Sequence, residues 1–301
     1  MPVCRSAREA GGPRRCPTHA RARWAAASAE VAELERSTRA APTGQPTTPV
    51  PTPAAVLTAA HHEALRRAGI RTGGLSSSAD HAGRVGDLTA WGFTHDADGV
   101  PAATPLTDFL GFPLDPRTRH FIESLDEPLV VASVRAYCGP WYAHIHDAVL
   151  GLPNPHPTAH THARRIKRIL QWFNEIQHEK PTPPWPCATV VRVAQQVDLD
   201  GQDFLSAVFP IGGRIETTRI TSTTTNLDVA RRFATGDDDY VLVFRTAAVL
   251  PIALIAGQRE DEALIAPGTG FRVVHTDTSG IDGRPTVYLV SDDDIAASAA
   301  V

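Results

Sequence analysis

Three short segments carry residue types that could do chemistry, and each lies in or beside a strand-like stretch. The first contains Arg192, within the apolar run VVRVA. A guanidinium is costly to bury in such a strand unless something anionic meets it. Arg192 is therefore either part of an anion-binding site or an edge-strand residue whose side chain reaches solvent or a structural ion pair.

The second segment is RITSTTTNLDVARRF, in which hydroxyl residues from Thr221 to Thr225 precede a helical pattern that starts near Asn226. Hydroxyls at a strand end beside a helix N-terminus suit either helix capping or recognition of a polar ligand. Taken by itself, capping is the simpler interpretation of this segment.

The third segment places Glu260, Asp261 and Glu262 directly before the strand-like run ALIAPGTGFRVV. In an extended chain, residues i and i+2 project to the same side, so Glu260 and Glu262 are expected to share a face. Like charges so close together repel each other. The segment is either a solvated acidic turn or a pair of carboxylates kept together for a function.

In chain order, the three segments resemble the arginine, Ser-Thr-Ser and Glu-x-Glu signatures of arginine-specific mono-ADP-ribosyltransferases, a group that includes clostridial-type actin-modifying toxins and vertebrate ecto-enzymes. The matching residues are Arg192, Ser222-Thr223-Thr224 and Glu260-Asp261-Glu262. The resemblance covers residues 110–295. The composition, rich in Arg, Ala and Pro, indicates a G+C-rich genome, so we expect an actinobacterial or phage-borne origin.

Flanking residues extend the resemblance. Val229-Ala230 and Phe233 resemble the family's V-A-x-x-F helix, and the run after Glu262 resembles its P-x-G-T-x-F-x-V strand. Upstream, a helical segment resembles the family's Y-T-G-x-x-Y-x-x-I-N pattern through Tyr137, Gly139, Tyr142 and Ile145.

Four positions depart from the family pattern. Val193 stands where a glycine usually follows the arginine, and Thr224 replaces the second serine. Cys138 replaces a threonine and His146 replaces an asparagine in the upstream helix. None of the four removes a catalytic group.

The resemblance implies an α+β fold, with a split pair of short β-sheets that clamp a dinucleotide and an N-terminal helical part. It implies that NAD is the substrate, that ADP-ribose passes to an arginine of a target protein and that nicotinamide is released. The sequence has no G-x-G-x-x-G, in agreement with a fold other than the Rossmann domain.

The resemblance also implies roles for single residues. Glu262 would stabilise the cationic ribose, Ser222 would hold Glu262, Arg192 would bind the pyrophosphate and Glu260 would orient the acceptor guanidinium. These four are the expected catalytic residues. The expected NAD-binding residues are Arg192, Val193, Ser222, Thr223, Thr224, Phe233 and Glu262.

Two alternatives stay open. An NAD glycohydrolase, with water as the acceptor, would need Glu262 but not Glu260. The second alternative is a binding module that keeps the fold without turnover. The presence of Arg192, Ser222 and Glu262 together counts against it, because a binding module does not require all three.

The elements that must position these residues follow from the apolar periodicity. Helices are expected at 55–69, closed by Gly69, within 128–151, at 163–177 and at 226–234. After the chain-breaking PTPPWP run, strands are expected in five β-branched segments, ATVVRVAQQVDL, RITSTT, YVLVFRTA, ALIAPGTGFRVVHT and PTVYLVSD. Helices that precede a strand-rich half predict the α+β class.

Composition divides the chain into four parts. Residues 1–39 form a basic arm with a short helix, and residues 40–54, with five prolines, form a semi-rigid linker. Residues 55–109 are a helical and loop region, and residues 110–301 are the catalytic domain. The arm is expected to be a poorly ordered tail rather than a nucleic-acid or membrane-binding element.

Net charge and hydropathy limit the classes of partner that we expect. A net charge of −4 argues against nucleic acid as a partner, and no apolar run reaches the length of a membrane helix. We expect a monomer that is cytoplasmic as synthesised, or delivered or secreted by a non-classical route. No metal is expected. Cys4, Cys16 and His19 match no common zinc spacing and lack an obvious fourth ligand, and the histidines of a Pro-rich loop are usually solvated or packed; these are His156, His160 and His162.

Overall fold

The computed structural model describes residues 57–75, 87–97, 99–103, 128–153, 156–178, 188–201, 203–252 and 261–299. The basic arm and the linker lie outside these residues, and so do Glu260 and the candidate metal ligands Cys4, Cys16 and His19. Most of the expected catalytic domain lies inside them. No helix among the described residues has both the length and the apolar character needed to cross a membrane.

The described helices and strands confirm the expected α+β class. The helices are α1 (Ala59–Arg67), α2 (Pro128–Tyr137), α3 (Tyr142–Leu150), α4 (Pro157–His178), α5 (Phe204–Val208), α6 (Leu227–Phe233) and α7 (Asp292–Ala299), with a 3₁₀ turn at Ile281–Gly283. The strands are β1 (Ile70–Leu75), β2 (Ala188–Gln195), β3 (Gly213–Thr217), β4 (Thr221–Thr224), β5 (Asp239–Thr246), β6 (Val249–Pro251), β7 (Glu262–Ile265), β8 (Gly270–Asp277) and β9 (Thr286–Ser291).

The strands of the described residues join in the order β1-β3-β8-β9-β5-β2-β4-β7-β6. Only β5 and β9 run parallel among these pairs. The junction of β2 with β4 consists of a single pair, Val191 with Thr224. This narrow junction divides the strands into a group of six and a group of three, in agreement with the expected split pair of sheets.

Strand β2 is buried on both faces, which explains its continuous apolar run. Successive residues face opposite sides, so Val190, Arg192 and Ala194 share one face while Val191 and Val193 share the other. The first face contacts the core of β5 residues and helix α5, and the second contacts the core around α6 and α7. Arg192 is thus a guanidinium on an otherwise apolar strand face.

The helical part packs on the group of three strands. The expected stripe of α4 is buried at Ile166, Ile169, Leu170 and Phe173, where it contacts α2, α3 and the strand residue Leu264. Burying an aliphatic or aromatic side chain of this size contributes about 1.5–3 kcal/mol. This core fixes the end of α2 against β7.

The N-terminal described segment adds one helix and one edge strand. Helix α1 begins after Thr58, whose side chain accepts a hydrogen bond from the backbone of His61. It ends at Arg67, with Ala68 as the C-cap and Gly69 next at φ +94°, in agreement with the expected stop. Strand β1 then pairs antiparallel with β3.

Candidate active site

Glu262 is the first residue of β7, and its side chain is buried, with the residue only 8% exposed. Strand β4 pairs antiparallel with β7, with Thr224 opposite Glu262 and Ser222 opposite Leu264. Ser222 and Glu262 are therefore diagonal neighbours on one face of the sheet. The Ser222 hydroxyl donates to Oε1 of Glu262 over 2.6 Å.

Arg192 lies across the junction of β2 and β4. Its Nη1 donates to the backbone oxygen of Ser222 over 3.0 Å, and the residue is 7% exposed. The structure therefore brings together three of the four expected catalytic residues, in a chain of bonds from Arg192 through Ser222 to Glu262.

Asp261 forms a tight turn before Glu262. Its φ is +47°, in the left-handed region that Asp tolerates better than most residues. Its backbone oxygen accepts from the backbone N–H of Thr225 over 3.0 Å, and its carboxylate accepts from Nδ2 of Asn226 over 3.0 Å. The expectation of an extended backbone is wrong at Asp261, and the expected shared face of Glu260 and Glu262 lies outside the described residues because Glu260 does.

The other hydroxyls of the run serve the backbone. Thr223 donates to the backbone oxygen of Ala263 over 2.9 Å, and Thr224 accepts from the backbone N–H of Asn226 over 3.1 Å. Asn226 caps α6 by accepting from the backbone of Asp228. For Thr223 and Thr224 the structure thus shows a structural use, whereas Ser222 is directed to the carboxylate.

Val193 and Phe233 lie in the core on the other face of β2 from Arg192. Val193 pairs with Val241 of β5, and Phe233 ends α6 packed against the same cluster. No ladder pair joins Val193 to β4 in the described sheet, because the two strands pair only at Val191 and Thr224. Val193 is itself 7% exposed, so its side chain is part of this core.

A second donor to the carboxylate was missed by the interpretation of the sequence. The thiol of Cys138 donates to Oε2 of Glu262 over 3.1 Å, and Cys138 is 3% exposed. The signal in the sequence was the replacement of a threonine at this position. Since 124 positions separate the two residues along the chain, their contact depends on how α2 packs on β7.

An aromatic cluster lies beside the same carboxylate. The hydroxyl of Tyr137 shares a hydrogen bond of 3.1 Å with Nε2 of His146 and donates to the backbone oxygen of Ile220 over 3.3 Å. The ring of Tyr142 lies 4.2 Å from that of His146, centroid to centroid. These residues belong to the upstream helical pattern, which was the signal for them in the sequence.

Burial sets the protonation of this cluster. It raises the pKa of Tyr137 well above its usual value, and the nearby Tyr142 and Glu262 add to the effect. It lowers the pKa of His146 well below 6.5, with Arg219 and Arg192 contributing. Tyr137 is therefore protonated and His146 neutral at physiological pH.

A second arginine lies close to this cluster. Burial lowers the pKa of Arg219, and the neighbouring charge of Arg192 lowers it further. Arg219 donates from Nη2 to the backbone oxygen of Ala68 at the end of α1 over 2.9 Å. Two guanidinium groups thus lie near the buried tyrosine beside Glu262, and positive charge of this kind suits an anionic ligand.

Among the described residues, no group of three or more His, Cys, Asp or Glu side chains could hold a metal ion. Two of the three candidate histidines have other contacts: His162 shares a hydrogen bond with Ser133, and His156 packs edge-on against Trp141. The chemistry available here is that of a buried carboxylate held by a hydroxyl and a thiol, beside arginine side chains. Such a site can stabilise a cation that develops on a ligand.

No protein-family model and no curated protein matches the sequence. Among solved structures, exoenzyme S from Pseudomonas aeruginosa, in complex with human 14-3-3 protein beta and bound to carba-NAD, is similar at 17% identity over 62% of this chain and 88% of its own, with a TM-score of 0.40. The Vis toxin, an ADP-ribosyltransferase from Vibrio splendidus, is similar at 12% identity over 62% and 90%, with a TM-score of 0.33. The eukaryotic mono-ADP-ribosyltransferase ART2.2 is similar at 15% identity over 62% and 81%, with a TM-score of 0.38. At these identities and TM-scores, the activity has to be argued from the site.

Proposed function

We propose that the protein is an NAD-dependent mono-ADP-ribosyltransferase, which transfers ADP-ribose from NAD to an arginine side chain of a target protein and releases nicotinamide. The observation that carries the proposal is the 2.6 Å hydrogen bond from Ser222 to the buried carboxylate of Glu262, with Arg192 bonded to the backbone of the same serine. Each of these three residues comes from a different one of the three signature segments of the sequence.

The chemistry explains why a held carboxylate is needed. As the bond between C1′ of the ribose and the nicotinamide nitrogen breaks, the nitrogen keeps the electron pair and C1′ becomes oxocarbenium-like. A carboxylate at Glu262 stabilises that cation, and burial strengthens the attraction because it excludes water. Ser222 keeps the carboxylate oriented, so little reorganisation is needed as the charge develops.

Charge supports NAD as the ligand. The pyrophosphate of NAD is anionic, and the guanidinium of Arg192 offers the forked donors that suit phosphate oxygens. On the family resemblance, we assign the backbone beside Val193 to the nicotinamide amide. We assign Thr223, Thr224 and Phe233 to the walls of the same NAD site, on the family resemblance.

The acceptor is assigned through Glu260. A guanidinium is always charged and is a poor nucleophile, so a second carboxylate that pairs with it can orient one nitrogen and accept its proton as the new C1′–N bond forms. The identity of Glu260 in the Glu-x-Glu segment therefore supports arginine on a protein as the acceptor.

The test uses the full chain, labelled NAD and a cell lysate, with release of nicotinamide measured in parallel. Wild type should label protein arginines and release nicotinamide. Glu262→Gln should lose both by about 100-fold or more, the size of effect seen when one electrostatic partner of a transition state is removed. Glu175→Gln, an exposed glutamate of α4, is the matched control and should behave as wild type.

Two further outcomes separate the alternatives. If Glu260→Gln keeps nicotinamide release but loses protein labelling, the assignment of the acceptor is supported. Release of nicotinamide without labelling by wild type would indicate an NAD glycohydrolase. A wild-type protein that does neither, while it still binds NAD, would be a binding module, and the proposed transferase would be wrong.

A further inference from the structure

The carboxylate of Glu262 has a different donor on each oxygen. Ser222 donates to Oε1 over 2.6 Å, whereas the thiol of Cys138 donates to Oε2 over 3.1 Å. The serine belongs to β4 and the cysteine follows the last residue of α2, so the carboxylate is held between the sheet and the helical part. Cys138 has no place in the three sequence signatures.

The position of Cys138 is set by its backbone. Its N–H donates to the oxygen of Val134 over 2.9 Å, which continues the helical bonding of α2. Gly139 then turns the chain, and a Cβ there would lie 2.8 Å from the backbone oxygen of Arg135, so the turn requires glycine. Because the backbone of Cys138 is bonded to the helix and the turn that follows is tight, the end of α2 determines where the thiol points.

Packing fixes the thiol from the other side. Cys138 belongs to the buried cluster that includes Val134, Tyr137 and Ile145. An apolar side chain of similar size would suit such surroundings equally well. What it would not supply is a donor to a carboxylate oxygen, and a buried polar atom that loses its donor carries a desolvation cost.

A thiol has a particular effect on a carboxylate. It is a weak donor, so it fixes the orientation of the carboxylate while it withdraws little of the negative charge. In the contact with Oε2 the thiol is the donor and the carboxylate oxygen is the acceptor. Ser222 is the strong, charge-assisted donor of the pair, and Cys138 is the weak one.

We propose that Cys138 is a positioning residue for Glu262: its thiol holds Oε2 so that the carboxylate presented by Ser222 keeps one orientation and most of its charge as the ribose cation forms. The inference rests on the proposed function. It assigns a role in turnover to a residue that packing alone would place in the core.

Three variants of the full chain test the role, with kcat and KM for NAD measured by nicotinamide release and Tm measured in parallel. Cys138→Ala removes the donor and should lower kcat about fivefold, the effect of one weak hydrogen bond, with KM for NAD unchanged. Cys138→Ser keeps a donor and should retain kcat within about twofold of wild type. Val134→Ala truncates a neighbour in the same cluster one turn earlier, and should lower Tm without lowering kcat.

The outcomes are distinguishable. The inference is overturned if Cys138→Ala keeps the wild-type kcat, if Cys138→Ser loses as much as Cys138→Ala, or if Val134→Ala lowers kcat equally. A wild-type protein that releases no nicotinamide overturns the proposed function and this inference with it. If the wild-type protein is active and Cys138→Ala keeps its kcat, only this inference is overturned and the proposed function stands.

Discussion

Nη1 of Arg192 donates to the backbone oxygen of Ser222, 3.0 Å away, across the junction where β2 and β4 share a single pair. The guanidinium therefore helps to fix the serine that in turn holds Glu262. In the proposed enzyme, Arg192 serves both the geometry of the carboxylate and the charge of the pyrophosphate. Its substitution should affect turnover as well as NAD binding.

Arg192→Lys separates charge from geometry. Lysine keeps one positive charge but lacks the planar fork that can bond a carbonyl and a phosphate at once. We expect KM for NAD to rise, kcat to fall, and kcat/KM to drop by about tenfold or more, as for the loss of one hydrogen bond to a charged group. Steady-state nicotinamide release measures both constants. The control is Arg231→Lys, in an exposed ion pair of α6 with Asp282, which should change neither kcat nor KM. If Arg192→Lys kept the wild-type kcat, the proposed effect of Arg192 on Glu262 through Ser222 would be contradicted.

Ser222→Ala tests the bond to the carboxylate directly. Removing the hydroxyl deprives Oε1 of Glu262 of its short donor, which should reduce kcat by about tenfold to 100-fold. KM for NAD should change less, because the serine acts on Glu262 rather than on the phosphates. The comparison variant is Ser279→Ala, at an exposed turn between β8 and β9, which should turn over as wild type. Equal losses in both variants would speak against a special role for Ser222.

The candidate site could be predicted where its residues belong to the three signature segments. Ser222 and Glu262 were singled out because Arg192, the hydroxyl run and the acidic segment together resemble the signatures of a known family, whereas none of the three was decisive alone. The contact of Glu262 with Cys138 spans 124 positions and depends on the packing of α2 and its glycine turn, which local periodicity does not encode. The left-handed turn at Asp261 was missed for a related reason: its partners, Thr225 and Asn226, come from another strand end.

The helices and strands were likewise predicted from the sequence only in part. Periodicity predicted α4 and β5 because both are long and have a clear apolar pattern. It did not predict β1, β3 or β6, since β1 contains two glycines, β3 is short and mixed, and β6 has only three residues. These strands form through pairing with neighbours that are distant along the chain, so tertiary contacts rather than local propensity decide them.

His146 predicts a dependence of stability on pH. Burial and the charges of Arg219 and Arg192 hold its pKa well below 6.5 in the folded protein, while its other close neighbours are the rings of Tyr137 and Tyr142. Below pH 6.5 the unfolded chain binds a proton that the folded chain does not, so stability falls as the pH falls. The slope should reach about 1 kcal/mol per pH unit.

Thermal unfolding between pH 7 and pH 5 measures this effect. Wild type should lose about 3 °C in Tm per pH unit below 6.5, in the range for a domain of this size. His146→Asn should flatten that part of the curve relative to wild type. His160→Asn, at an exposed position of α4, should leave the slope as it is. A slope unchanged by His146→Asn would mean that other groups account for the acid sensitivity.

Asp261 offers a way to separate the conformation of the turn from its hydrogen bond. Its φ of +47° suits glycine and asparagine as well as aspartate, and its carboxylate accepts from Nδ2 of Asn226. Asp261→Asn keeps both features and should retain stability and activity. Asp261→Gly keeps the conformation and loses the acceptor, whereas Asp261→Ala loses the acceptor and adds the strain of a left-handed alanine.

The free energy of unfolding in urea and the rate of nicotinamide release should therefore rank the variants Asn, then Gly, then Ala. We expect Asp261→Ala to lose about 1–2 kcal/mol of stability, from the lost hydrogen bond and the backbone conformation together. Because Glu262 is the next residue, its carboxylate should shift with the turn, so kcat should fall in the same order. If Asp261→Gly and Asp261→Ala proved equally stable, the left-handed conformation would contribute nothing. If all three variants kept the wild-type kcat, Ser222 and Cys138 alone would suffice to hold the carboxylate in place.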